Sequence, residues 1–366
     1  MNTALKPYSL AGITLKNRIV MAPMTRARAH GRDATVSALN AEYYAQRASA
    51  GLIVSEGVQP SVSGQGVADT PGLHSVAQVH AWRSVTGAVH ARGGRIFAQL
   101  MHSGRFGDPD VLPRGMQHVA PSEVAAAGTI HSRAGRTPLP VPHALTEDEI
   151  SETIADFATA ARNAIAAGFD GVEIHGANGY LVHQFLSTNV NLREDGWGGT
   201  SERRIRFAVD VTSAIADAIG AERTGIRLSP GNTLHDIVEN DLDNTYDMLI
   251  AALSPMNLAY IHLMESRDLR PLTVRLRQHW PGTFILNPFT EGRSTGPTEL
   301  ALIEDGTADL IAYGALFIAN PDTPARLTAG GPFTAVDPRT FFGGDHRGFT
   351  DYPFLESPSQ EPGRGG

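Results

Sequence analysis

Cysteine is absent from the 366 residues. That excludes disulfides, thiolate metal sites and a cysteine nucleophile, and it fits a reducing cytosol, so the cytoplasm is the expected location. Long apolar runs are missing too. No stretch approaches the roughly 20 residues of a membrane span, and the opening MNTALKPYSLAGITLKNR lacks the apolar centre of a signal peptide. Positive charge is scarce: 30 Lys and Arg stand against 38 Asp and Glu, for a net charge of -8. Nucleic acid and membrane surfaces are therefore not expected partners. What is present is apolar. With 42% hydrophobic and 19% charged residues, the chain has the material for a large interior, and its length suits one α/β domain as well as two average ones.

Along the chain, short β-type runs alternate with longer helical ones. NRIVMAPMT, GLIVSEG, GRIFAQLM, GVEIHG, TGIRLSP, LAYIHLM, TFILN and ADLIAYG are eight strand candidates, and each is followed by a helix-like stretch. Runs apolar on both faces suit a parallel sheet covered by helices, and eight βα units predict an α/β (β/α)8 TIM barrel. A doubly wound open sheet is the alternative, but no G-x-G-x-x-G follows the first strand. Residues 102–145, rich in Gly, Pro and His, interrupt the alternation after the third strand and predict a lid over the C-terminal mouth. Residues 356–366 read as a flexible tail, and 1–366 as a single domain.

GVEIHGANGY places His175 at a strand end, with Asn178 and Tyr180 on the turn that follows. An imidazole and a carboxamide three residues apart can both donate to one oxygen, as on a carbonyl or nitro group gaining negative charge. A phenol beside them, with a reference pKa of about 10, can deliver a proton. Each residue also has an ordinary structural reading: a strand-end His or Tyr is often packing, Thr25 can cap a helix and Arg227 can be a buried ion-pair partner. The convergence of Thr25, Gln99, His175 and Arg227 on four strand ends favours a site.

NRIVMAPMTRAR, EYYAQRASAGLIVSEG, PGLHS, HGANGYLVHQFLSTNVNLREDGWGGTSERRIRF and FIANPD resemble the old yellow enzyme family of flavin-dependent ene reductases, from about Leu10 to Phe354. The resemblance implies a barrel with non-covalent FMN at its C-terminal mouth. It also implies NADPH or NADH as reductant, and an alkene activated by a carbonyl or nitro group as the small-molecule partner. Thr25, Gly57 and Gln99 would contact the flavin ring, with Pro23 and Met24 packing against it. Arg227 would place positive charge at the ring edge that becomes anionic on reduction. His175, counted among the ring contacts, and Asn178 would hold the substrate oxygen while Tyr180 protonates carbon.

This chain departs from the family pattern at the phosphate clamp. Asn287, Pro288 and Phe289 stand where Gly-Gly-aromatic is common, and Gly314 and Ala315 where Gly-Arg is common. Proline has no N–H to donate, and alanine cannot make arginine's bidentate contact. Arg293 is the expected replacement charge. On the substrate side, Met101, Val67 and Phe349 replace an indole and two phenols, which implies a bulkier or less polar substrate than cyclohexenone. A member with weakened or lost FMN binding, acting as a redox-neutral isomerase or ligand-binding protein, is the alternative. A monomer or homodimer is expected.

Overall fold

The computed structural model describes residues 3–31, 33–132 and 135–355; the predicted tail lies outside them. All eight strand candidates form strands: β1 (Ile19–Met21), β2 (Leu52–Val58), β3 (Ile96–Leu100), β4 (Gly171–Gly176), β5 (Thr224–Leu228), β6 (Tyr260–Met264), β7 (Thr283–Asn287) and β8 (Leu310–Tyr313). They pair in sequence order, and β8 pairs in parallel with β1 through Ile311 opposite Ile19, so the sheet closes into a barrel. Closure removes the open-sheet alternative. β2 through β5 are buried at every position, as expected for strands with helices outside and packed side chains inside.

Among the described residues, six helices of nine residues or more pack outside the strands, three of them opened by a capping Ser75, Thr146 or Thr200 side chain. α1 spans Ala38–Gln46, α2 Val76–Ala91, α3 Glu147–Ala166, α4 Ser201–Ile219, α5 Leu242–Leu253 and α6 Arg270–His279. Before α3, Thr146 Oγ1 accepts from the Glu149 N–H at 3.3 Å and the Glu149 carboxylate accepts from the Thr146 N–H at 2.8 Å. This reciprocal arrangement satisfies two N–H groups that the helix itself leaves open.

The barrel interior divides by polarity. Val20, Val54, Phe97, Tyr260, Ile285 and Leu310 fill its lower end, where Leu10 and Leu15 of a hairpin (Tyr8–Leu10 with Ile13–Leu15) pack against them. That hairpin closes the floor, which leaves the opposite end for the site. There the interior turns polar, with Gln99, Glu173, His175, Arg227 and His262 all buried.

The excursion after β3 is more ordered than its composition suggests. It holds a small hairpin (Thr129–Ser132 with Gly135–Pro138) and a two-residue parallel pair (Val119–Ala120 with His143–Ala144). Arg105, 0% exposed, ties it to the loop after β5. Its guanidinium donates to the carbonyls of Val124 and Ala125 on one side and of His235 and Asp236 on the other, at 2.9–3.2 Å.

Candidate active site

His175 is 4% exposed at the upper end of β4. Its Nδ1 accepts from the Ala177 N–H at 3.2 Å, so in the neutral ring the proton resides on Nε2. Burial, reinforced by the nearby Arg227 charge, holds its pKa well below the ordinary histidine range. The ring is therefore a neutral donor. Asn178, half-buried, follows in the left-handed region at φ 55°, a conformation asparagine tolerates, and its N–H donates to Ser229 Oγ at 2.8 Å. Tyr180 immediately precedes the short helix Leu181–Leu186, and its ring stands edge-on to His175 at 4.9 Å between centroids. Burial pushes the phenol up to about 12, which keeps it protonated.

Arg227, 4% exposed, points into the upper interior, where it donates to Asn287 Oδ1 at 3.1 Å while its Nε has no partner among the described residues. Burial lowers its pKa and the nearby Glu173 carboxylate opposes that shift. A buried guanidinium with an unspent donor suits an anionic ring edge. Gln99 donates through Nε2 to Glu173 Oε1 at 2.8 Å, and Glu173 Oε2 accepts from His262 Nδ1 at 2.9 Å. Burial lowers the His262 pKa, and the Glu173 carboxylate opposes that shift. Glu173 and His262 were not singled out from sequence, although Glu173 lies two residues before His175 and so faces inward with it.

A bulge shapes the wall beside Gln99. The pairing of β2 with β3 shifts between Val54 and Gly57, and Ser55 Oγ accepts the Gln99 N–H at 3.1 Å. Glu56, directed the other way, accepts from the N–H groups of Arg26 and Ala27 at 3.1 and 3.3 Å. It thereby fixes the loop bearing Pro23, Met24 and Thr25, which are all half-buried. At Gly57 a Cβ would come within 2.7 Å of the Met101 sulfur, so Met101 packs against this strand only because the residue is glycine. Gln99 and Arg227 thus bring buried polar groups to the upper end of the barrel, and the unpartnered Arg227 Nε fits the edge of a polar ring.

The expected phosphate positions are less open. Both ends of the Asn287 side chain are occupied, by Arg227 and by the Ala312 carbonyl at 3.2 Å. Gly314 and Ala315 open a five-residue helix, and Arg293 is 67% exposed, 3.8 Å from Glu299.

Of the predicted substrate contacts, Met101 is 6% exposed against Gly57, and Val67 is half-buried in the loop after β2. That loop borders a separate cavity of about 700 Å3 lined by Gln65, Ala68 and lid residues such as Asp108 and Leu112. Phe349 requires correction. It is 0% exposed, stacked on Tyr43 at 4.0 Å with the guanidinium groups of Arg26 and Arg28 at 5.0 and 4.5 Å, and has no free face for a substrate. The aromatic wall near Tyr180 comes instead from Phe106 of the lid, stacked on His235 at 3.5 Å, with the His235 ring 5.1 Å from that of Tyr180.

A family model described as NADH:flavin oxidoreductase / NADH oxidase matches residues 4–332. A probable flavin mononucleotide-dependent alkene reductase of Leishmania infantum is 40% identical over 361 residues, covering 97% of this chain and 98% of its own. The 12-oxophytodienoate reductase 1 of Oryza sativa subsp. japonica is 38% identical, covering 98% and 94%. Among solved structures, the old yellow enzyme homologue from Zymomonas mobilis superposes with a TM-score of 0.91 at 41% identity, over 96% of this chain and 100% of that one. Morphinone reductase gives 0.91 at 38% identity, over 99% of each. With a closed barrel, a buried polar upper end and matches over nearly its whole length, this chain belongs to the NADH:flavin oxidoreductase family, in its old yellow enzyme group of ene reductases.

Proposed function

We propose that this protein uses NADPH or NADH, through non-covalent FMN, to reduce the C=C bond of an alkene activated by a carbonyl or nitro group. The observation that carries the reading is the pairing of a neutral His175, its proton on Nε2, with a protonated Tyr180 at 4.9 Å between ring centroids. FMN, when bound, supplies the hydride acceptor and donor that joins nicotinamide oxidation to alkene reduction in a ping-pong cycle. His175 and Asn178 bind the activating oxygen and stabilise the charge that builds there. Tyr180 holds the proton delivered to the α carbon and regains one from solvent. Arg227 opposes the negative charge of the reduced ring, and Phe106 with His235 limits water at the phenol.

The ring end of the site supports bound flavin, and the phosphate end supports weaker retention. The family pattern would put the phosphate near Gly314 and Ala315, with Arg293 as the accompanying charge. Arg293→Ala should then weaken FMN binding about tenfold, a charge-assisted bond's worth; unchanged affinity would leave the phosphate to the backbone alone. The buried Gln99 and the unspent Arg227 donor favour reduction over a redox-neutral role.

Met101 and the Phe106 wall support a bulky, apolar substrate. Steady-state turnover of the FMN-loaded enzyme with NADPH on a fused-ring enone should exceed that on cyclohexenone. The reverse order would remove the bulky-substrate reading, and inertness toward enones and nitroalkenes alike would remove the reductase reading.

A further inference from the structure

Asn178 serves a substrate oxygen only if its NH2 group, and not its carbonyl, faces the mouth. The two ends are nearly the same shape, so Asn178 alone does not decide between them. The loop after β5 decides. The Leu234 N–H donates to Asn232 Oδ1 at 2.8 Å. A backbone nitrogen only donates, so the acceptor there must be the amide oxygen, and Nδ2 occupies the other end of Asn232. That Nδ2 stands 3.1 Å from the side chain of Asn178. It too only donates, so the atom it meets is Asn178 Oδ1, which leaves the Asn178 NH2 for the mouth.

His175 is set the same way, through the Ala177 N–H on Nδ1. Both donors therefore take their orientation from backbone N–H groups. The loop that carries Asn232 is anchored on either side. Ser229 Oγ accepts from the Asn178 N–H, and Glu239 accepts from the Gly231 N–H at 2.8 Å and from the Tyr246 hydroxyl at 2.9 Å.

We propose that Asn232 is a positioning residue, holding the Asn178 amide as a donor toward a carbonyl or anionic substrate oxygen. This rests on the reading of His175 and Asn178 as the oxygen site. Asn232→Asp keeps the shape but turns the donor into an acceptor, so the Asn178 amide must rotate to meet it and present its carbonyl to the ligand.

The test is calorimetric titration of 4-chlorophenol, whose phenolate mimics an enolate, into the oxidised, FMN-loaded enzyme, with the flavin spectrum as the check on folding. Asn232→Asp should raise the Kd about ten- to hundredfold, the loss of one hydrogen bond to a charged group. In an Asn178→Ala background the same change should move the Kd less than about twofold, because the effect runs through Asn178. Equal weakening in both backgrounds would assign the effect to charge repulsion or distortion and overturn the proposal, as would no weakening in the native background. Asn232→Ala, without the added charge, should give a smaller loss of about two- to fivefold from reduced preorganisation, again absent when Asn178 is alanine. If Asn178→Ala alone leaves the Kd unchanged, the oxygen-site reading fails and the positioning role falls with it. If Asn178→Ala weakens binding and Asn232→Asp does not, only the positioning role fails.

Discussion

Tyr180 provides the sharpest consequence of the site's electrostatics. Its half-buried ring packs beside His175, Phe106 and His235, and this burial raises the phenol to about 12. If Tyr180 is the proton donor, as proposed, only its acid form serves, and a raised pKa extends activity to higher pH. At pH 10.5 a phenol of ordinary pKa, about 10, would be about three-quarters ionised and a poor acid. At about 12 only about 3% of Tyr180 is ionised there. The assay is stopped-flow reoxidation of the anaerobically reduced enzyme by an enone between pH 7 and 10.5, which isolates the step that needs the proton. The rate should stay nearly flat across that range. Tyr180→Phe should lower it about 10²–10⁴-fold, the usual contribution of a positioned acid, and abolish any solvent isotope effect on that step. A decline with an apparent pKa near 10, or a phenylalanine variant that keeps its rate, would refute this role for the phenol.

Other changes should act at separate points. Glu173→Gln removes the carboxylate that offsets Arg227, so the flavin potential should rise by roughly tens of millivolts in a dye-equilibration titration; a fall would mean Glu173 does not oppose Arg227 at the ring. Arg105→Met leaves four carbonyls without their donor and should raise KM severalfold while the flavin spectrum is retained; an unchanged KM would deny the lid a part in binding. At Gly104, φ is 61° and a Cβ would lie 2.2 Å from Gln184 Oε1. Gly104→Ala should therefore lower stability by about 1–3 kcal/mol, read from thermal melts of the FMN-loaded protein, and an unchanged melting temperature would contradict the strained lid root.

The barrel was legible because parallel strands buried on both faces are written as continuous apolar runs, and a polar residue closing such a run is conspicuous. His175 and Arg227 were found that way. Glu173 carried a readable signal that was missed: a carboxylate in an apolar strand, in step with His175, must face the barrel interior and needs partners. Asn232 and Glu56 were not legible, since their roles depend on which loop from another strand comes within hydrogen-bonding distance. Phe349 was misjudged for the same reason. It lies in an irregular segment without a period, and its packing is set by Tyr43, Arg26 and Arg28, more than 300 residues earlier. The floor hairpin at Tyr8–Leu15 is too short for alternation to reveal it.

The central claim is that the polar barrel end around Gln99 and Arg227 holds a flavin that cycles between nicotinamide and an activated alkene. An anaerobic visible spectrum of the FMN-reconstituted protein tests it directly, recorded before NADPH, after NADPH, and after a subsequent fused-ring enone. The account predicts a protein-bound oxidised band that bleaches with NADPH and returns with the enone. A protein that retains no flavin, or a bleached band that the enone fails to restore, would contradict it.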